Sequence, residues 1–426
     1  MTFDDFGLQP GILKQLAAQG LTEPTPIQAK AIPIALQGRD VMGLAQTGTG
    51  KTAAFGLPLL NALISAGTPP MAKSATGLVL APTRELAKQI SEALAGFTRG
   101  GHLKVVVVVG GVSMNRQINA MRKGADLLIA TPGRLMDHVE QKTIRLDQTR
   151  FLVLDEADQM LDMGFIHALR KIAPLLPRER QTMMFSATMP KLMADLSKQF
   201  LTDPTRVEVA RPGVAADKIT QSVHFVGQPA KTGLLTRLLG EHVGERAVVF
   251  ARTKHGSERL MKKLVQAGFA AASIHGNKSQ GQRDRALAGF KSGEVTVLVA
   301  TDVAARGIDI PDVKYVYNFD LPNVAENYIH RIGRTARAGA SGQAVAFCSP
   351  EELSEFRAIE KVLKTTIPVA GGVVPEPASR PARQGRKPGG KPGGHSGGKP
   401  AANAGGKARS RPRRGRRRGK GAKQAA

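Results

Sequence analysis

The chain has one cysteine, no tryptophan, 4% aromatic residues and no apolar run near the length of a membrane span. Each shortage excludes something. A lone thiol, Cys348, rules out an internal disulfide framework and a multi-thiolate metal site, suits a reducing cytoplasm, and reads as a small core hydrophobe near a strand end. Without roughly 20 consecutive apolar residues the chain is not expected to be an integral membrane protein, and no membrane partner is expected. Few aromatics leave little material for base-stacking platforms. The start, Met1 to Leu8, is acidic and short of apolar residues, the opposite of a secretory signal, so the expected location is cytoplasmic.

What the chain has in excess is positive charge. Its net charge is +27 over 426 residues, but the placement is uneven. From Gly371 onward there are 16 Lys and Arg against one acid, Glu376, so this segment carries +15 and the preceding 370 residues only +12. The last segment is rich in Gly, Pro, Ala and Arg, and Arg411 to Lys420 alone holds seven cations. Such a composition cannot bury enough apolar surface to offset chain entropy, so disorder is expected. It reads as an arm that binds polyanions through counterion release, with a merely solubilising tail as the alternative.

Upstream, short β-rich apolar runs alternate with amphipathic stretches of helix length, the pattern of a parallel sheet covered by helices. Six strands are expected from Val41–Leu44 to Gln181–Phe185, and six more from Ser222–Val226 to Gln343–Phe347. The fold class is therefore α/β, with two similar domains in tandem. Thr202 to Lys218, broken by Pro204, Pro212 and Gly213, reads as the hinge. The expected boundaries are domain 1 at 1–207, a linker at 208–217, domain 2 at 218–370 and a basic tail at 371–426.

Ala45-Gln46-Thr47-Gly48-Thr49-Gly50-Lys51-Thr52 follows a strand and opens a helix. There, glycines let backbone amides form an anion nest, Lys51 can reach β and γ phosphates, and the Thr52 hydroxyl can hold Mg²⁺. Ala45 stands where the generic pattern has Gly, and a flexible glycine loop is the bland alternative. Asp155-Glu156-Ala157-Asp158 ends the apolar strand Phe151–Leu154. A carboxylate at that strand end is where a phosphate-loop enzyme places its Mg²⁺ ligand, Asp155, with Glu156 beside it to orient or deprotonate water. ATP and Mg²⁺ are thus the expected cofactors.

This tetrapeptide resembles the signature of the DEAD-box RNA helicases, and further segments resemble that family in order. Gly20 and Pro24-Thr25-Pro26-Ile27-Gln28, with Phe3 upstream, resemble its Q motif, which implies that Gln28 reads the adenine edge and Phe3 packs on its face. Pro82-Thr83-Arg84-Glu85-Leu86, Gly110-Gly111 and Thr131-Pro132-Gly133-Arg134 resemble its RNA-backbone contacts, implying RNA roles for Arg84, Gly111, Thr131 and Arg134. Ser186-Ala187-Thr188 resembles the segment that couples hydrolysis to strand separation near Asp158. The resemblance implies two RecA-like domains.

In the second half, His330-Arg331-Ile332-Gly333-Arg334-Thr335-Ala336-Arg337 resembles motif VI, which makes His330 a catalytic candidate and Arg334 and Arg337 candidate arginine fingers; a solvated basic face is the alternative. Thr301, Asp302, Gly307 and Asp309 lie in a run like motif V, the first pair implied at the RNA backbone and the second at the nucleotide. Thr253, and the pair Gln282 and Arg285, match RNA-facing elements. The start Phe3 to Leu8 and the basic C-terminus look most like the bacterial RhlE group. The expected function is RNA-stimulated ATP hydrolysis that locally and non-processively unwinds short duplexes or remodels RNA–protein complexes. An ATP-gated RNA clamp and a DNA translocase are the competing readings. RNA is the expected partner, contacted without sequence preference; ribosome precursors and an RNA-degradation complex both stay open.

Overall fold

The computed structural model describes residues 1–45, 48–67, 69–189, 191–209, 219–305, 313–336 and 341–374. These contain two seven-stranded sheets, ordered β3-β4-β2-β5-β6-β1-β7 and β10-β11-β9-β12-β13-β8-β14. The second order is the first with seven added to every number, so one topology occurs twice. All the strand pairs are parallel.

In lobe 1 the strands are β1 (Val41–Leu44), β2 (Ala75–Leu80), β3 (Val105–Val108), β4 (Ala125–Ala130), β5 (Phe151–Leu154), β6 (Gln181–Ser186) and β7 (Thr205–Glu208). In lobe 2 they are β8 (Ile219–Phe225), β9 (Ala247–Phe250), β10 (Ala271–Ile274), β11 (Val297–Ala300), β12 (Tyr315–Asn318), β13 (Gly342–Cys348) and β14 (Val369–Gly371). Central strands are apolar on both faces because helices cover both. Val79 and Val153 join one core with Ile27, Phe55 and Phe185, while Leu78, Leu80, Leu152 and Leu154 join the other with Met160 and Leu196. This period-two division is what a doubly covered parallel sheet requires.

Two expectations fail in the same way. Thr202–Lys218 was read as a hinge, yet its described part contains β7, paired with β1, and the Thr202 N–H donates to Asp40 at 2.7 Å. The segment from Gly371 was read as tail, yet Gly371 ends β14, which pairs with β8. Glu208 and Gly371 are therefore strand residues, outside the linker and tail assigned to them. Both strands lie at sheet edges and only Val207 among their residues is buried, so neither leaves a hydrophobic run to read. Among the described residues no helix is long and apolar enough to cross a membrane.

Candidate functional site

The first cluster forms where β1, β5 and β6 end. The phosphate loop leaves β1 and turns into α3 (Lys51–Ala66) through Gly48 and Gly50, at φ +83° and +89°, a region that side chains rarely adopt. Space is also short: a Cβ on Gly50 would lie 2.4 Å from the Gln28 amide nitrogen. Ala45, the departure from the generic pattern, is buried with its N–H donated to the Ser186 carbonyl at 3.0 Å, so its methyl fits. Gln46 and Thr47 lie outside the described residues.

Lys51 is only 6% exposed, and its Nζ is a buried atom with no hydrogen-bond partner. Glu156, 4% exposed and left-handed at φ 49°, has a buried Oε2 with none either. Burial pushes the Glu156 carboxyl up to about 7; Lys51 and Arg334 pull it back down, while Asp155 and Asp158 add to the rise. Burial also raises Asp155, opposed chiefly by Lys51. A buried ammonium nitrogen and a buried carboxylate oxygen without hydrogen bonds are costly in a protein's own terms. They fit a bound polyphosphate and the water that attacks it.

Asp158 closes this edge. Its Oδ2 accepts from Ala187 N–H, Thr188 N–H and the Thr188 hydroxyl at 3.1, 2.9 and 3.0 Å, and the Ser186 hydroxyl donates to the Thr188 carbonyl at 2.7 Å. The segment after β6 is thus tied directly to the acidic strand end.

The second cluster is a cleft of about 450 Å³ shared by both lobes, lined by Arg84, Gly111, Thr131 and Arg134 from lobe 1 and Gly276, Arg283 and Val303 from lobe 2. Gly110 and Gly111 have no side chain because Arg84 lies over them: a Cβ on Gly111 would sit 2.0 Å from the Arg84 Nη1. Burial first, then the neighbouring Arg283 and Arg134, lower the Arg84 pKa against the pull of Glu85. Three arginines, Arg84, Arg134 and Arg283, converge there with two carboxylates: Arg134 pairs with Asp137 at 3.3 Å and Arg283 with Glu85, so the lining is cationic by one charge. The lobes also bond directly. Arg84 donates to Gln280 at 3.3 Å, Gln280 donates to Glu85 at 3.2 Å, and Arg283 pairs with Glu85 at 2.9 Å.

Against known proteins, the DEAD/DEAH box helicase family matches residues 25–196 and the helicase conserved C-terminal domain matches 230–339. The CshA DEAD-box ATP-dependent RNA helicase of Bacillus subtilis is 46% identical over 364 residues, covering 85% of this chain and 73% of that protein. The chain belongs to the DEAD-box ATP-dependent RNA helicases. Saccharomyces cerevisiae Dbp5 bound to RNA and ADP BeF3 superposes with a TM-score of 0.77 at 32% identity, over 87% of this chain and 95% of that one. Mss116p bound to ssRNA and AMP-PNP gives 0.79 at 29% identity, over 87% and 78%. Both superpositions span both sheets, so the helicase has two tandem RecA-like lobes. The comparisons establish the family and leave the RhlE likeness without support, since the relative reported is a CshA.

Several expected site residues stand differently in this helicase. Gln28 has both ends of its amide engaged: Oε1 accepts from Thr25 N–H at 2.8 Å and Nε2 donates to the Gly50 carbonyl at 3.0 Å. Phe3 is buried in the core with its ring edge-on to Phe6, so it does not present a free face; the half-exposed Phe6 is the more open ring of that turn. Asp302 is held by Arg331, whose Nε and Nη2 donate to its two oxygens at 2.5 and 2.8 Å, so this carboxylate is already satisfied. Arg331, which the sequence reading passed over, is buried and also donates to Asn318 and to the Asp320 carbonyl, with Phe250 at 5.0 Å under its guanidinium. Arg285 is exposed and bonds the Gly281 carbonyl in its own helix, α12 (Gln280–Ser292), while Gln282 caps that helix. Arg283 lines the cleft instead, and Gln280, three residues before it, bonds Arg84 and Glu85 at its edge.

Thr301 is half-buried and starts the turn of α13 (Asp302–Ala305); Thr253 caps α11 (Lys254–Gln266) and lines a separate cavity with Arg252 and Arg259. His330, Asp302, Arg331 and Arg334 share a small cavity under Phe250. Arg334 is 6% exposed, and its Nε donates to the His330 carbonyl at 3.1 Å. Gly307, Asp309 and Arg337 lie outside the described residues.

Proposed function

We propose that this helicase binds ATP on lobe 1 and hydrolyses it at its full rate only when RNA draws lobe 2 against that site. One observation carries the reading: the two buried, unbonded groups of lobe 1, Lys51 Nζ and Glu156 Oε2, lie where Arg334 of lobe 2 already acts electrostatically on Glu156. Backbone amides from Ala45 to Thr52, with Gln46, Thr47, Gly48, Thr49 and Gly50 between, cradle the phosphates, and Lys51 neutralises them. Glu156, its carboxyl near 7, takes a proton from the attacking water or orients it. Arg334, joined by Arg337, stabilises charge on the transferred phosphoryl, and the His330 carbonyl, which accepts from the Arg334 Nε, holds Arg334 in place. Gln28 reads adenine with the second N–H of its amide and the second lone pair of Oε1 while it keeps the Thr25 and Gly50 bonds, which would link the base to the phosphate loop. Gly307 and Asp309 complete the nucleotide side.

Among the described residues no three His, Cys, Asp or Glu side chains form a metal site by themselves. Mg²⁺ binds through one or two protein oxygens plus substrate phosphates. Thr52 and Asp155 would hold it, and it would neutralise charge on the phosphates.

Arg84, Gly111, Thr131 and Arg134, with Thr253, Thr301 and Arg285 from lobe 2, hold phosphates and sugars of one strand, giving little sequence preference. Arg283 adds to this set, and Asp302 acts through Arg331. The Asp158, Ser186 and Thr188 bonds carry the state of the acidic strand end to the segment after β6. The domain limits, 1–207 and 218–370, are moved by this reading to strands β7 and β14. The cationic segment 371–426 supplies sequence-blind RNA affinity, and with the Phe3 to Leu8 run it is the ground for an RhlE-like role. The lone buried thiol fits the cytoplasm, and ribosome precursors and an RNA-degradation complex remain the candidate assemblies.

Glu156→Gln tests this. It should retain ATP and RNA while turnover falls about 10²- to 10⁴-fold, the usual contribution of a positioned acid or base. Unchanged turnover would remove Glu156 from the chemistry. Stimulation of turnover by DNA oligonucleotides as strong as by RNA would favour the translocase reading instead.

A further inference from the structure

Two residues in the cleft wall of lobe 1 have no side chains by which to be held. Gly110 and Gly111 follow β3, and Arg84 lies over both, so neither has room for a Cβ. Gly111 is also left-handed, at φ +73°. Glycine loses more chain entropy on ordering than any other residue, so such a turn keeps one shape only where the residues around it are fixed.

One amide fixes both sides. Gln117, buried on α5 (Met114–Met121), donates from Nε2 to the Val109 carbonyl at 3.0 Å and to the Val112 carbonyl at 3.4 Å, the residues that flank the glycine pair. Carbonyls only accept, so both N–H groups are committed and Oε1 is left as an acceptor. Oε1 meets Nε2 of His138, on α6 (Pro132–Glu140), at 3.3 Å, and that contact needs the imidazole proton on Nε2. Nδ1 then takes the Thr143 hydroxyl at 2.8 Å. Burial first, and then Arg134, lower the His138 pKa against the pull of Asp137, which favours the neutral ring that this tautomer requires. Arg134, also on α6, donates to the same Val112 carbonyl at 2.9 Å.

We propose that Gln117, oriented by His138, is a positioning residue that sets the Gly110-Gly111 turn in the shape that receives the RNA strand. This rests on the reading of Arg84, Gly111, Thr131 and Arg134 as the RNA wall of lobe 1. Gln117 is 4% exposed and His138 fully buried, so both act through the turn and not by touching RNA. The sheet keeps their effect away from ATP: β3 is an edge strand, and β4, β2, β5 and β6 stand between it and β1, whose end carries the phosphate loop. Without these bonds the turn is free to move, and RNA must order it on binding.

The test titrates the ATPase of the full chain with poly(U). Gln117→Met keeps the side-chain length and removes its hydrogen bonds. It should raise the poly(U) concentration for half-maximal stimulation about tenfold, the size of one or two net hydrogen bonds, while kcat and the ATP KM at saturating poly(U) stay wild-type. His138→Leu should give a similar shift, and His138→Gln, which returns an N–H donor near the Nε2 position, should restore the wild-type value. Gln117→Met combined with His138→Leu should be no worse than either alone, because the two side chains act as one unit. Thr143→Val, which removes the hydroxyl from His138, should shift the value about two- to threefold. It decides the matter if the urea midpoints show that the buried variants do not fold: an unshifted Thr143→Val would then count against the positioning role. Arg134→Ala separates this proposal from the reading beneath it. A shift with Arg134→Ala but none with Gln117→Met, shifts that add in the double variant, or a fall in kcat equal to the loss of RNA affinity would each overturn the role of Gln117 and leave the RNA wall standing. No shift in either variant would overturn both.

Discussion

The two lobes share one strand order but treat buried charge in opposite ways. At the finishing ends of lobe 1's strands, Lys51 Nζ and Glu156 Oε2 are buried without hydrogen bonds. In lobe 2 the comparable buried cations are paired. Lys231, fully buried, donates to Glu352 at 2.5 Å and to the Phe319 carbonyl at 2.8 Å, and Glu352 also accepts from Arg252 and from Leu321 N–H. Arg331 is equally satisfied by Asp302, Asn318 and Asp320. The duplicated scaffold thus separates two tasks. Lobe 1 keeps buried charged groups without hydrogen-bond partners, and lobe 2 pairs Lys231 and Arg331 with its own carboxylates and carbonyls.

The largest expected effect breaks the partnership. Arg334→Ala should lower RNA-stimulated turnover by about 10³- to 10⁵-fold, the range for a lost arginine finger, while the affinity for a non-hydrolysable ATP analogue stays near wild type. A pure affinity loss would show that Arg334 belongs to binding. Next comes the locked charge of lobe 2: Lys231→Met strands part of a buried network and should cost about 3–5 kcal/mol of unfolding free energy in a urea titration. No loss would mean the pairing in lobe 2 is incidental.

Glu156→Gln should do the reverse and stabilise the fold by about 1–3 kcal/mol at pH 8, because it removes an unsatisfied buried charge. The pH dependence follows from the sign of the shift. A carboxyl raised from 4.5 to about 7 binds its proton more tightly folded than unfolded, so between those values the native state holds a proton that the unfolded state has released. Wild-type stability from this group is therefore present below about 4.5 and lost as pH rises to about 7. The advantage of Glu156→Gln should grow across that interval and level off above it; a gap independent of pH would contradict the assignment.

The grouping of the lobe 1 segments was legible because each is local. A glycine loop between strand and helix, a carboxylate pair at a strand end and a Ser-Ala-Thr run each signal their place by neighbours in sequence. What escaped depends on tertiary context. Strands β7 and β14 are short edges in which Val207 is the one buried residue. Arg283 rather than Arg285 reaches the cleft because of the rotational phase of α12, which two candidate pairs with identical spacing cannot reveal. Asp302 looked like an RNA contact until Arg331, 29 residues away, was seen to hold it. Phe3 looked like an adenine platform, but its ring went to the core, the common fate of an apolar side chain beside a helix.

The sharpest trial of the division between lobes is to express residues 1–209 alone, since both hydrophobic cores of lobe 1 are built from its own residues. ATP hydrolysis by this fragment is then compared with that of the full chain, with and without RNA. The fragment should bind ATP and turn it over at a slow rate that RNA leaves unchanged, while the full chain accelerates with RNA. Hydrolysis by the fragment as fast as by the RNA-stimulated full chain would show that lobe 1 needs no arginine from lobe 2.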